Sequence, residues 1–376
     1  MTLLLFCISL CQAEPTTQSG AGEVYHYRLK MPEGRDSIYQ CSGLHYGSLG
    51  KREGLWLVCD RNSGPCGNQV FFVDKRRLTK ARNGSDITTD ESISIVPPAE
   101  GWDGFIKRHS MIAANVLSDL RKQIENKIKG KGPILDLEDI TIGRISAGNR
   151  GMQLLVVAEQ PHSVVLGLRL EEKQPRPVAV LTNCFTYEEG KAAQGDDAND
   201  GLEGITWSGR AGEFYLVEEG TKPHEPTYTL LYFQNPRILK CTLKDGRVIA
   251  DKRWSHELTE KVRRLRGHPM QTLNAVTCMD KETLLAVDRN GGWVISVNLN
   301  SREVRRRFSL YDPKLLNLRQ RLSDFPARRY MPYVSIEGIA GDVDGNIWMV
   351  DDPAAPEAFK ESCLIRVANP PWFSSE

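Results

Sequence analysis

Acidic residues recur at one position of a short repeated motif, and they are the side chains of this sequence best suited to chemistry. In each copy the first residue is polar or acidic, the second small, the third aliphatic and the fourth small or polar, and the copies begin at Ser42, Glu138, Glu203, Asn274 and Glu337. A short apolar segment follows each copy and leads into a second set of acids: Asp60, Glu159, Glu218, Asp288 and Asp351. Carboxylates gathered in one cleft repel one another unless a cation, bound protons or arginines compensate their charge.

Oxygen-only donor sets of this kind favour a hard cation such as calcium over zinc. We therefore expect calcium as the cofactor, held by six metal ligands: Asp60, Glu138, Glu203, Asp288, Glu337 and Asp351. In the alternative interpretation, acids at repeated positions bond backbone amides or brace neighbouring strands, and bind nothing.

A further set of residues beside these acids is expected to bind a ligand. Its members lie at the same motif positions or in the connecting segments: Arg61, Glu159, Glu218, His268, Asn274, Arg289 and Arg329. Arginine beside a cation suits a small anionic or phosphorylated ligand, whereas in the alternative the arginines only neutralise the acids. The sequence has no Gly-x-Ser-x-Gly nucleophile motif, so we assign no catalytic residue, and hydrolysis would require a metal-activated water.

Short buried strands must position these residues. Each motif copy starts a strand, and the apolar segment after it is four or five residues long and rich in β-branched or aromatic side chains, which indicates a second, buried strand. A third strand follows each time, and a fourth follows in all copies but the last. The pattern predicts an all-β fold, a β-propeller of four-stranded blades near residues 42–97, 138–183, 203–254, 274–310 and 337–367.

An N-terminal strand, residues 24–30, is expected to complete the last blade and close the ring, which removes exposed sheet edges. Five blades are visible, and six is the alternative because a degenerate blade would fit between residues 97 and 136. Apolar residues at helical spacing instead predict a helical insertion over residues 104–130. Because the first strand of each blade starts where the second ends, the acids and the long insertions converge on one mouth of the central channel.

The composition excludes some classes of function. The chain has 376 residues and a formal net charge of +1, whereas nucleic-acid binders need a strong basic excess. The apolar run over residues 3–10 and the following Ala13 predict a signal peptide, residues 1–13, and export of a single domain, residues 14–376, to the periplasm or the extracellular space. The alternative is a buried N-terminal strand. No later apolar run is long enough to form an integral membrane segment.

Cys59 and Cys66 bracket a short loop that contains Gly64 and Pro65. In an oxidising compartment a disulfide could close this loop. Two buried thiols are the alternative, and the spacing matches no zinc motif.

Two motif copies with their flanking residues, Leu202–Trp207 and Ser335–Ala340, resemble the esterase-like, phytase-like β-propeller family and the related SdiA-regulated propellers. The resemblance implies export, calcium binding and phosphoesterase activity. It also implies that Glu203 and Glu337 are ligands at the channel mouth, with Glu138 at the same register.

Three hypotheses remain open at this point. The chain is a calcium-dependent phosphoester hydrolase, a non-catalytic module that recognises a protein or carbohydrate partner at the helical face, or a structural propeller stapled by calcium.

Overall fold

A computed structural model describes residues 22–371, apart from 35, 61–65, 131, 133, 147–150, 160–161, 174, 188–200, 219–235, 264–271, 290, 313, 316–334 and 352–360. The predicted signal peptide, residues 1–13, therefore lies outside the described residues.

Most of the strands form four-stranded antiparallel sheets in which neighbours along the chain pair. The first sheet contains β2 (Cys41–Leu49), β3 (Arg52–Cys59), β4 (Gln69–Asp74) and β6 (Glu91–Val96). The second contains β7 (Leu137–Gly143), β8 (Gln153–Ala158), β9 (Val164–Glu171) and β10 (Val178–Thr186). The third contains β11 (Leu202–Trp207), β12 (Glu213–Glu218), β13 (Arg237–Lys244) and β14 (Arg247–Ala250).

The fourth sheet contains β15 (Ala275–Cys278), β16 (Thr283–Asp288), β17 (Trp293–Asn298) and β18 (Val304–Ser309). The fifth contains β19 (Ile336–Gly341), β20 (Ile347–Asp351), β21 (Cys363–Ala368) and the N-terminal strand β1 (Glu23–Lys30). A short strand, β5 (Asp86–Thr88), runs parallel to β1 and extends this sheet. Among the described residues there are therefore five four-stranded units.

Hydrophobic side chains hold these sheets face to face. Because side chains alternate along a strand, a strand between two sheets must be apolar on both faces. In β3, Leu55 and Leu57 pack towards the fifth sheet, whereas Trp56 and Val58 pack towards the second. This double burial explains the continuous apolar runs that the sequence shows.

Packing closes the sheets into a ring. Five hydrophobic clusters lie between successive sheets, the last of them between the fifth sheet and the first. The first strands of the sheets, β2, β7, β11, β15 and β19, contact one another in the same cyclic order, and β19 contacts β2. The predicted all-β propeller is confirmed, and so is its closure by the N-terminal strand, since Tyr27 of β1 pairs with Leu364 of β21.

Helices lie outside the ring. The segment in which a sixth blade was considered contains α2 (Gly101–Arg108) and α3 (Ala114–Lys129), and both pack on the cluster between the first two sheets. Two further helices are α1 (Lys75–Lys80) and α4 (Lys252–Arg263). The described helices include none that is long and apolar enough to cross a membrane.

A buried carboxylate, Asp139, ties three inner strands together. Its Oδ1 accepts hydrogen bonds from the backbone N–H of Leu44 (3.1 Å) and Ile140 (2.8 Å), and its Oδ2 accepts one from Ile205 (2.8 Å). The strands approach so closely here that a Cβ added to Gly43 would lie only 2.3 Å from the Cα of Asp139. The small second residue of the motif is therefore a packing requirement, and in the second sheet Asp139 uses that position as a brace.

We predict that Asp139→Ala lowers the free energy of unfolding by about 3–5 kcal/mol, because three buried backbone donors lose their acceptor. Urea denaturation measures this change. Asp103→Ala, which removes an exposed carboxylate from α2, is the matched control and should cost less than about 1 kcal/mol. Equal effects of the two substitutions would show that Asp139 does not brace the ring.

Candidate metal and ligand site

The first residues of the motifs occupy β-bulges. The register between the first and second strands of a sheet skips one residue in four sheets, and the skipped residues are Ser42, Glu138, Glu203 and Glu337. A bulge re-aims a side chain out of the regular alternation and is common beside functional sites. The bulges explain why these residues leave the inter-sheet cores although their strands are buried on both faces.

Three carboxylates come together at the bulge of the second sheet. Ligand oxygens of Asp136, Glu138 and Glu159 all lie within 4.8 Å of one another. Asp136 and Glu159 are almost fully buried, and their backbones are linked by a hydrogen bond from the Glu159 N–H to the Asp136 carbonyl (3.0 Å). We call these three residues the acidic cluster.

Glu138 is the centre of a wider acidic field. Burial raises the pKa of Glu138 well above its ordinary value, and the charges of Asp136, Glu159, Asp60 and Glu337 raise it further, in that order. Asp60 belongs to the first sheet and Glu337 to the fifth, so acids from three sheets act on one carboxyl group. This is the electrostatic arrangement that a bound cation would relieve.

Other predicted acids are engaged in local structure. Glu218 pairs with Arg237, the Oδ1 of Asp288 accepts hydrogen bonds from the N–H of Thr272 (3.2 Å) and Gly291 (2.8 Å), and the Oδ1 of Asp351 accepts one from the N–H of Cys363 (2.5 Å). These contacts match the alternative interpretation, in which such acids brace the strand ends.

Glu337 is paired with Arg289, and the ion pair joins the fourth and fifth sheets. The Arg289 side chain is 21% exposed and that of Glu337 is 10% exposed. Glu203 occupies the bulge of β11 and is 8% exposed. Of the other predicted ligand-binding residues, Arg61, His268 and Arg329 lie outside the described residues.

Asn274 is a buried polar side chain without a hydrogen-bond partner. It is 1% exposed, and neither its amide nitrogen nor its amide oxygen has a partner. Leu273 and Val276 on either side of it belong to the same core cluster, just as Leu202 and Ile205 flank the bulge at Glu203. The same three-residue spacing places Asn274 at the position that the bulged residues occupy in the other sheets.

The structure adds two residues that the sequence analysis missed. Asp136 belongs to the acidic cluster, and its position two residues before Glu138 was the available signal. The Ser163 hydroxyl is buried and has no hydrogen-bond partner. It lies beside Glu159, since a Cβ on Gly201 would be 2.5 Å from both the Ser163 Oγ and the Glu159 Cγ.

The opposite ends of the inner strands form a different pocket. A cavity of about 310 Å³ is lined by residues that include His45, Thr206, Trp207 and Cys278. Burial lowers the pKa of His45 to about 4 and raises that of the Cys278 thiol to about 12. Both groups are therefore uncharged near neutral pH, and the pocket lining also contains one acidic and one basic residue, Asp280 and Lys281.

We predict that Asn274→Leu leaves the free energy of unfolding unchanged or raises it by about 1–2 kcal/mol, because an unpaired buried amide is costly and leucine has a similar size. The control is Gln123→Leu. The buried amide of Gln123 donates to the carbonyl of Ile134 (3.2 Å), so its loss should cost about 1 kcal/mol. Chemical denaturation measures both changes, and a marked destabilisation by Asn274→Leu would indicate that the amide has a structural partner.

We predict that, with divalent cations chelated, the protein loses stability as the pH rises above 4.5, the ordinary pKa of a glutamate. The folded state raises the pKa of Glu138, so the stabilisation from its proton is complete below 4.5 and is lost as the pH rises through the folded-state pKa. Thermal unfolding of the parent protein and of Glu138→Gln should therefore diverge with pH. The exposed Glu282→Gln should follow the parent protein, and a parallel course of all three would contradict the prediction.

Comparisons with known proteins concern the fold only. No family model and no curated protein matches the chain. Among solved structures, it is similar to streptogramin B lyase, with 11% identity over 86% of this chain and 65% of that one and a TM-score of 0.33. It is similar to the Dos1 propeller with 9% identity over 88% of this chain and 68% of that one, and a TM-score of 0.33. It is also similar to the PQQ-bound aldose sugar dehydrogenase from Streptomyces coelicolor, with 8% identity over 92% of this chain and 98% of that one and a TM-score of 0.37. All three are β-propeller proteins, and at these identities they give no information on the chemistry of this chain.

Proposed function

We propose that the chain binds a hard divalent cation, calcium, at the acidic mouth of its propeller and, through the cation, a small anionic ligand of the phosphoester class. The observation that carries this proposal is the acidic cluster of Asp136, Glu138 and Glu159, whose ligand oxygens lie within 4.8 Å of one another. Export of the chain is part of the same proposal and rests on residues 1–13.

The donor set fits calcium. All members of the cluster are carboxylates, and calcium takes six to eight oxygen ligands in a flexible geometry. Oxygen donors and the absence of histidine or cysteine from the cluster disfavour zinc. The Glu159 Oε1 accepts a hydrogen bond from the N–H of Gly201 (2.9 Å), and this contact orients its carboxylate. Such support of a ligating carboxylate is typical of metal sites.

Groups around the cluster favour a small ligand beside the cation. The Asn274 amide at the ring and the Ser163 hydroxyl at the cluster are buried without partners, and an amide or hydroxyl in that state is ready to bond a ligand. Arg289 is a guanidinium beside Glu337, one of the acids whose charge acts on Glu138. A guanidinium and a cation together recognise phosphate oxygens.

Phosphoester hydrolysis is the finer form of the proposal. A bound cation would supply polarisation of the ester and a lower pKa for a bound water. The residues of this chain would hold the ion through Asp136, Glu138 and Glu159, and burial beside other acids raises the pKa of Glu138, which favours a protonated carboxyl group when no cation is bound.

Non-catalytic ligand binding is the second candidate. Its support is that Glu218, Asp288 and Asp351 are engaged by neighbouring groups, which reduces the number of carboxylates available for chemistry.

We predict that the chelated protein binds calcium in isothermal titration calorimetry and that Glu138→Gln weakens this affinity at least tenfold, about 1.4 kcal/mol, because a central carboxylate loses its charge. Glu282→Gln should bind as the parent protein does. Equal calcium affinity of the parent protein and Glu138→Gln would remove the acidic cluster from cation binding.

The same proteins, assayed on a panel of phosphomonoesters and phosphodiesters with and without calcium, separate the two candidates. Calcium-dependent turnover that is lost in Glu138→Gln supports hydrolysis. Saturable, calcium-dependent binding of inorganic phosphate without turnover supports the binding module. Turnover that chelation does not change would contradict the hydrolase proposal.

A further inference from the structure

Three thiols meet behind the channel mouth on the first sheet. Cys41 begins β2 and Cys59 ends β3, and the two residues pair directly in the antiparallel register. Cys66 lies in the same hydrophobic cluster, and all three side chains are fully buried. We call Cys41, Cys59 and Cys66 the thiol cluster.

Cys59 is the central member of this cluster. Its side chain is fully buried, it pairs with Cys41 across the register, and it shares the hydrophobic cluster with Cys66. Cys41 also contacts backbone carbonyls, with its Sγ 3.2 Å from the oxygen of Val58 and 3.7 Å from that of Gly43. The remaining thiols of the described residues lie on other sheets: Cys184, Cys241, Cys278 and Cys363.

The backbone geometry permits a disulfide at this position. Directly paired residues of antiparallel strands have Cα atoms about 4.5–5.5 Å apart, within the range of about 4.4–6.8 Å that disulfides span. Cys59 and Cys66 are close along the chain, so a bond between them would close a short loop. The strand register thus places Cys59 within disulfide range of Cys41, and Cys66 is buried in the same hydrophobic cluster.

We propose that Cys59 forms a disulfide with either Cys41 or Cys66, and that the third thiol remains as the partner for thiol–disulfide exchange. The oxidant is a disulfide of the glutathione class, which acts during folding, before the core closes over the sulfurs. This proposal does not depend on the proposed function.

The protein disulfide forms in two thiol–disulfide exchange steps. The thiolate of one cluster cysteine attacks the oxidised glutathione, a sulfur–sulfur bond forms, and one glutathione thiolate leaves. A second cluster thiolate attacks the cysteine sulfur of this mixed disulfide and releases the second glutathione thiolate. Two protein thiols lose two electrons and two protons, and one glutathione disulfide becomes two glutathione thiols. The third cluster thiolate can then attack Cys59 and exchange the partner.

The choice of partner affects the backbone behind the mouth. Cys59 directly precedes Asp60, which acts on Glu138, and Cys41 directly precedes Ser42 in its bulge. A Cys41–Cys59 bond ties these two strand ends together, whereas a Cys59–Cys66 bond anchors the end of the adjoining loop. The cluster thus places a redox-dependent crosslink one residue from the acidic field.

Oxidative refolding tests this proposal. The full chain is unfolded and reduced, refolded with reduced and oxidised glutathione, alkylated in denaturant so that buried thiols also react, and analysed by peptide mapping. We expect the loss of two thiols, with Cys41–Cys59 and Cys59–Cys66 as the disulfides found. Cys66→Ala should give only the former, Cys41→Ala only the latter, and Cys59→Ala neither. Cys184→Ala, which removes a buried thiol on β10, should leave both disulfides unchanged.

Two results would overturn the proposal. One is a refolded parent protein in which Cys41, Cys59 and Cys66 are all still alkylated. The other is a Cys41–Cys66 disulfide in Cys59→Ala, which would show that Cys59 is not the required centre. If Cys59→Ala fails to refold, the maps of the parent protein and of the two other single variants still decide the question.

Discussion

The close approach of the inner strands around one axis is the constraint on which the rest of the structure depends. Side chains on both faces of these strands fill the cores between sheets, so the residues at the axis must be small, bulged or hydrogen-bonded to a neighbouring strand. Gly43 shows the first solution, since no Cβ fits against Asp139. Asp139 shows the hydrogen-bonded solution, because its carboxylate accepts hydrogen bonds from three backbone N–H groups that belong to three sheets. The bulged solution turns polar residues out of the cores between the sheets.

This constraint divides the acids of the repeated motifs between two tasks. Of the acids that end or follow the second strands, Asp288 and Asp351 accept hydrogen bonds from backbone N–H groups, and so does Glu159, which also belongs to the acidic cluster. Of the bulged acids, Glu337 pairs with Arg289, and Glu138 lies in the field of four other carboxylates. Carboxylates that are bonded to backbone amides stabilise the fold, whereas carboxylates crowded against one another favour a cation.

The two ends of the inner strands differ because the chain connects them differently. At one end of the inner strands, the pocket is lined by His45 and Cys278 together with one acidic and one basic residue, Asp280 and Lys281. The motifs begin and the second strands finish at the other end, and the carboxylates collect there. The acidic side chains of the repeated motifs therefore collect at one mouth, although the formal net charge of the whole chain is only +1.

The sequence by itself determined the strands, their grouping in fours and the closure by residues 24–30. Strands that are buried on both faces need continuous apolar runs, and each repeat occupies one continuous stretch of the chain, so both features are visible in the sequence. It also identified Glu138, Glu203, Glu337 and Asn274 as equivalent positions.

Only the tertiary structure decided which acids meet, because Glu138 acquires its neighbours Asp60 and Glu337 from sheets that are distant in the chain. It also assigned Asp139 to bracing and Asp136 to the cluster, since both roles depend on distances between side chains that no repeat encodes.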